Sequence, residues 1–152
     1  MTREKSMPQL TFAQKAVIVD RDRILLVRKS AADPHNPGLW ELPGGRLKTP
    51  MEPLAEQITR EVLEETGFHV VPDQIIDLWD WQMPVGREIV RVIAVSRLCR
   101  VLGDPGKPCR ARDDYLDEQA WHPLGLLGGL DVIPSQKPTM QRLPELIPSL
   151  SG

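Results

Sequence analysis

The stretch REVLEETGF, Arg60 to Phe68, limits what this chain can be more than any other segment. It places Glu61, Glu64 and Glu65 in the last two turns of a helical pattern that runs from about Pro53 to Thr66. At about 100° per residue, Leu54, Ile58 and Val62 form one stripe with Ala55 beside it. Glu61 and Glu65 fall within roughly 20° of Leu54, so both sit at the edge of the core-facing side; Glu64 points further round. Pairs at this spacing repel by roughly 3 kcal/mol at an effective dielectric near 20. Gly67 reads as a left-handed cap that stops the helix, so the acids lie where the helix dipole favours cations. Repulsion, partial burial and the dipole all oppose the arrangement. A hard divalent cation would reverse all three, because Mg²⁺ takes oxygen ligands, commonly one or two carboxylates with phosphates and water. A solvated acidic face paired with Arg60 is the competing reading.

The residues upstream favour the cation. ELPGGRL precedes the helix, and Gly44-Gly45 turns the chain and leaves carbonyls unshielded, so the Gly45 carbonyl can join an oxygen site. WELPGG, Glu52 and REVLEETGF together resemble the signature of the Nudix hydrolase family, in which a glycine, five residues and a Glu precede Arg-Glu-apolar-x-Glu-Glu-x-Gly-apolar. Arg60, Glu61, Val62, Glu64, Glu65, Gly67 and Phe68 fit it. One departure lies in the loop: six residues separate Gly45 from Glu52, one more than the pattern.

The resemblance implies an α+β fold: a single-domain α/β/α sandwich around a mixed sheet, occupying residues 10–152 after a loose tail at 1–9. It implies Mg²⁺-dependent hydrolysis, with Mn²⁺ as an alternative ion, of a nucleoside diphosphate linked to another group. Glu61 and Glu65 are the expected metal ligands. Glu64 is a further ligand or the base that orients water, and the Gly45 carbonyl an additional ligand. Glu52 is the expected structural partner of Arg60. A further acid is expected from Asp114 or Glu118. LLVRKSAAD, MPVGREI and the WHPLGLL…IPSQKP end region are similar to the mutator-type (MutT-like) members, which clear oxidised guanine nucleotides. This implies nucleotide contacts from Arg28 or Lys29 and from Arg87. It also implies a base contact from Ser135 or Gln136, and packing of a base on Leu42. The expected substrate is a nucleoside triphosphate such as 8-oxo-dGTP, cut to monophosphate and pyrophosphate. ADP-ribose, nucleotide sugars or dinucleoside polyphosphates are the alternatives, and a non-catalytic nucleotide sensor is a third.

The rest of the chain fits this frame. Its 152 residues suit one core, and with 41% hydrophobic and 26% charged residues it reads as globular. A net charge of −2 gives no basic footprint for duplex nucleic acid. No apolar run is long enough to span a membrane, and MTREKSMPQL lacks a signal core, so a cytoplasmic monomer or homodimer is expected. Cys99 and Cys109 read as reduced thiols. Two β-rich runs in Ala16–Lys29 flank a turn at Asp20–Arg23; Ser30–Gly38 is a loop and LWELP a short strand. Val70–Val71, Ile75–Trp81 and Glu88–Val101 read as strands, and EQAWHPL as a strand entering a turn or helix. Pro134, Pro138, Pro144 and Pro148 are expected to cut any late helix into short pieces. Trp79 and Trp81 share a strand face, and Trp121 reads as core. His35, His69 and His122 read as loop or surface residues.

Overall fold

The computed structural model describes residues 9–111 and 116–150. Strand β1 (Leu10–Asp20) is the hub. It runs parallel to β6 (Glu88–Val101) from Leu10↔Arg91 to Ile18↔Cys99. Its other edge changes partner. Ala13–Lys15 pair with β4 (Gly44–Arg46), and Val19–Asp20 pair with β2 (Arg23–Lys29). The main path of the sheet is β3-β2-β1-β6-β5, with β3 at Trp40–Glu41 and β5 at Val70–Val85. β7 (Leu116–Pro123) pairs with β2. Only β1 and β6 run parallel among the pairs named, so the sheet is mixed.

The alternation of β1 sends its residues into two cores. Ala16 and Ile18 pack with Ile58 and Val62 of α1 (Leu54–Thr66), joined by Phe68 and Cys99. Val17 packs on the other face with Met140, Leu143 and Ile147 of α2 (Lys137–Leu150). The result is a three-layer α/β/α sandwich. Pro53 stands at the N-terminal cap of α1, and Gly67 closes it with φ +80°, donating its N–H to the Leu63 carbonyl at 2.9 Å.

Several expectations need correction. β1 begins at Leu10, six residues before the apolar run, because pairing with β6 and β4 organises the more polar TFAQK segment. Val70–Val71 and Ile75–Trp81 belong to one long strand, β5, whose register slips between Pro72 and Asp77. The prolines do not cut the last helix. Pro138 lies in its first turn, where no N–H is needed, and the buried Met140, Leu143 and Ile147 hold it across Pro144. Leu54 is 42% exposed, so the apolar stripe of α1 starts at Ile58. His122 is neither a loop nor a surface residue. It lies in β7, half-buried, with its ring edge-on to Trp40 at 4.6 Å.

His35 and His69 are exposed, and Trp121 is half-buried against the α1-side core. Cys99 is buried and Cys109 exposed; both are free, and burial pushes the Cys99 thiol up to about 12. Among the described residues no helix is long and apolar enough to cross a membrane.

Candidate active site

Helical spacing puts Gln57, Glu61 and Glu65 on one face of α1, and all three are buried. That face lies against the glycine strand β4. A Cβ on Gly45 would stand 2.9 Å from the Glu61 carboxylate carbon, so only glycine lets this carboxylate lie against the backbone. Gly44 donates its N–H to Glu65 Oε2 at 2.6 Å, and its carbonyl accepts from Lys15 Nζ at 3.1 Å. Its φ is +133°, and a Cβ there would meet the Gln14 carbonyl oxygen at 2.2 Å. The Gly45 carbonyl accepts from Gln57 Nε2 at 3.0 Å.

The charges are distributed unevenly. Burial pushes the Glu61 carboxyl above the usual range, against the pull of Arg60 and Lys48. Lys15 is 7% exposed; burial works against its ammonium, but Glu41, Glu65 and Glu61 outweigh it and hold its pKa above the ordinary value. Lys15 and Lys29 flank the buried Glu41 at 3.2 and 3.3 Å. Arg60 takes Glu52 in a two-pronged pair at 2.9 Å on each arm, which holds the Glu52 carboxyl below the usual range. The same guanidinium reaches both Glu64 oxygens at 3.2 Å.

The three glutamates therefore do not converge. Glu61 and Glu65 face the glycine strand, and Glu64 turns to Arg60, whose Nη2 also stands 3.5 Å from Glu61 Oε1. Among the described residues no three Asp, Glu, His or Cys side chains gather as a metal cage. Two buried carboxylates still fit Mg²⁺, which draws its other ligands from water and substrate phosphates; the expected Gly45 carbonyl is instead engaged by Gln57 and by its ladder partner Gln14. All the donors are hard oxygens, and a buried carboxylate with a raised pKa is what a cation would relieve.

The other expected contacts scatter. Arg28 is held by Asp117 at 2.6 Å and Glu118 at 2.9 Å, with its guanidinium carbon 5.5 Å from the Trp40 ring centre. Glu118 is thus engaged with Arg28; Asp114 lies outside the described residues. Leu42 is fully buried in the α2-side core, so its side chain offers no face to a base. Its N–H is taken by Gln136 Oε1 at 2.8 Å, and Gln136 is itself buried; Ser135 is half-buried. Arg87 sits in the turn between β5 and β6. Val95 is level with Gly45 across Gln14, and the strand from there to Glu88 covers about 23 Å, so Arg87 stands far along β6 from the acid cluster.

Four residues escaped the sequence reading: Gln14, Lys15, Glu41 and Gln57. A signal existed for two of them. Lys15 directly precedes the apolar run that starts at Ala16, and Gln57 stands four residues before Glu61 on the acid face.

Comparison with known proteins agrees with this fold. The family described as NUDIX domain matches residues 10–143. A human protein, 8-oxo-dGDP phosphatase NUDT18, is 30% identical over 104 residues, covering 68% of this chain and 29% of that protein. The chain thus spans under a third of that relative's length. The solved structure of a MutT protein from Methanosarcina mazei Go1 superposes with a TM-score of 0.69 at 26% identity, covering 91% of this chain and 95% of that one. An ADP-ribose pyrophosphatase from Streptococcus suis 89-1591 shares the fold with a TM-score of 0.66 at 22% identity, over 93% and 92% of the two chains.

Proposed function

This chain belongs to the Nudix family, and from that premise we propose that it is a Mg²⁺-dependent pyrophosphohydrolase of nucleoside triphosphates, oxidised purine nucleotides such as 8-oxo-dGTP among them. The products are the nucleoside monophosphate and pyrophosphate. One observation carries the reading: Glu61 and Glu65 are 5% and 4% exposed on the helix face that meets the glycine strand, and at Glu61 burial outweighs the nearby cations. Likeness to the human 8-oxo-dGDP phosphatase supports an oxidised guanine nucleotide as substrate.

Glu61 and Glu65 would hold the ion, with Mn²⁺ able to replace Mg²⁺. When bound, such an ion supplies charge neutralisation at the diphosphate and a water acidified for attack at phosphorus. Glu64, steadied by Arg60, is the carboxylate left to orient that water. Lys29 supplies positive charge at the rim for the phosphate chain. With the Gln136 oxygen committed to Leu42, its amide nitrogen is the end available to a base acceptor.

The test is a panel of nucleotides incubated with the purified chain and Mg²⁺ or Mn²⁺, with products separated by chromatography. Monophosphate and pyrophosphate should appear from triphosphates and vanish with EDTA or in a Glu61→Gln, Glu65→Gln double variant. Preference for ADP-ribose over every triphosphate would replace the substrate half of this reading. Tight nucleotide binding without any product would make the chain a sensor instead.

A further inference from the structure

One buried charge beside the acid cluster belongs to no part of the acid motif. Lys15 is 7% exposed, and its ammonium stands 3.2 Å from Glu41 Oε1 and 3.1 Å from the Gly44 carbonyl oxygen. In the β1–β4 ladder Lys15 lies opposite Gly44, between the Gln14–Gly45 pair and the Ala16–Pro43 bond. Gly44 therefore turns its backbone groups away from β1, and side chains of opposite charge meet them. Its N–H donates to Glu65 Oε2 at 2.6 Å, and its carbonyl accepts from Lys15 Nζ. Both bonds fall on one glycine, so ammonium and carboxylate are at most about 10 Å apart.

The charge of Lys15 is not cancelled where it stands. Burial works against the ammonium, yet Glu41, then Glu65 and Glu61, keep it charged. Lys29 Nζ reaches the other Glu41 oxygen at 3.3 Å, so Lys15, Glu41 and Lys29 together carry one net positive charge. The remaining cations near Glu61 differ. Arg60 is bound mainly to Glu52 and Glu64, and Lys48 is exposed, where salt screens it. Lys15 acts from the interior, where screening is weak.

We propose that Lys15 is a counter-cation built into the fold, which weakens the hold of Glu61 and Glu65 on the divalent ion so that substrate phosphates must complete it. This rests on the cation site proposed above. In the metal-free protein Lys15 compensates the buried acids; once an ion is bound, the same charge opposes it. A weak bare site lets the ion arrive and leave with the phosphate chain, whose oxygens Mg²⁺ takes beside one or two carboxylates. At an effective dielectric near 20, a unit charge about 10 Å from a divalent ion changes its binding on the order of 10²-fold, before solvent screening.

The experiment measures Mn²⁺ binding to the full chain by electron paramagnetic resonance, without nucleotide, in wild type, Lys15→Met, Glu41→Gln and their double variant. Methionine keeps most of the aliphatic stem and removes the charge. The double variant also removes the carboxylate that Lys15 compensates, and serves where the single variant fails to fold. Lys15→Met should bind Mn²⁺ at least about tenfold more tightly than wild type. The Mg²⁺ concentration for half-maximal turnover should fall with it. The double variant should bind Mn²⁺ more tightly than Glu41→Gln alone. A purely structural Lys15 predicts the opposite sign, because losing its bond to the Gly44 carbonyl would loosen the strand that anchors Glu65. Unchanged or weaker Mn²⁺ binding, in folded Lys15→Met or in the double variant against Glu41→Gln, overturns the role. If wild type and Lys15→Met both bind Mn²⁺ no better than the Glu61→Gln, Glu65→Gln double variant, the cation site itself falls and takes this role with it.

Discussion

Helices α1 and α2 cover opposite faces of one sheet and bury opposite kinds of surface. α1 is geometrically regular, but it buries Gln57, Glu61, Glu65 and Thr66 beside Ile58 and Val62. α2 has proline inside it and buries Met140, Leu143 and Ile147, with Thr139 and Arg142 tied to Asp77. The first helix keeps a sound backbone and carries costly side chains. The second keeps inexpensive side chains and carries a backbone defect. A carboxylate buried on a regular helix with its pKa pushed up, as at Glu61, points to chemistry, because its local partners do not offset the burial. A backbone defect under a good apolar face points only to tolerance, because packing outweighs one lost hydrogen bond.

The largest effect that could break this contrast is at Glu61. Glu61→Gln should lower turnover about 10²- to 10³-fold, the range seen when one group is removed from a charge-stabilising site. It should also raise metal-free stability by about 0.5–2 kcal/mol, since a buried charge is lost. Chemical unfolding in EDTA checks the second half. A destabilised variant would mean that Glu61 serves the fold, and the contrast between the helices would fail.

The adjacent glycines separate fold from site within one strand. Gly44→Ala places a methyl on the Gln14 carbonyl at φ +133°, and should cost about 3 kcal/mol or more. Gly45→Ala meets only the end of the Glu61 side chain, which can move aside. Its stability should stay within about 1 kcal/mol of wild type while activity falls at least about tenfold. Unfolding curves and turnover on the same preparations decide this. Equal losses of stability at both positions would show that Gly45, too, serves the fold.

The same contrast explains what could be read from the chain. The helix span, its glycine cap, the strand Glu88–Val101 and the acid spacing were legible, because metal chemistry dictates residue type and interval together. The turning of Glu64 towards Arg60 was less so: spacing places side chains on a face but does not choose their rotamers. Contacts on the α2 side were poorly legible. Leu42, expected to pack on a base, is buried instead, because Val132 and Met140, far away in sequence, close over it. Arg87 follows a proline turn as expected of a nucleotide contact, yet the length of β5 and β6 carries it away. Gln14 and Gln57 gain meaning only once β1 and α1 are adjacent.

On the α2 side, Pro144→Ala would restore an N–H facing the Met140 carbonyl in mid-helix. It should stabilise the chain by about 1–2 kcal/mol with kcat unchanged, measured by thermal unfolding and a saturating-substrate assay. A loss of stability would show the proline bend to be part of the packing of Leu143 and Ile147, and the helix no longer merely tolerant.

The smallest effect tests how tightly that side is closed. His122 lies edge-on to Trp40, its Nε2 is buried without a partner, and burial lowers its pKa against the weaker pull of Glu118. Below about pH 6.5 the unfolded chain takes up a proton there that the folded chain resists. The unfolded state then binds more protons, so stability is fully present above that pH and declines as pH falls towards the lowered folded value. Every carboxylate also titrates on the acid side, so the useful quantity is a difference. Urea unfolding at pH 7.5 and 5.5 should show a smaller decline in His122→Gln than in wild type, because glutamine carries no titrating group. Identical declines would mean that the folded chain protonates His122 freely. Water would then reach the β7 side of the sheet, and the dry apolar packing ascribed to the α2 face would stop at Trp40.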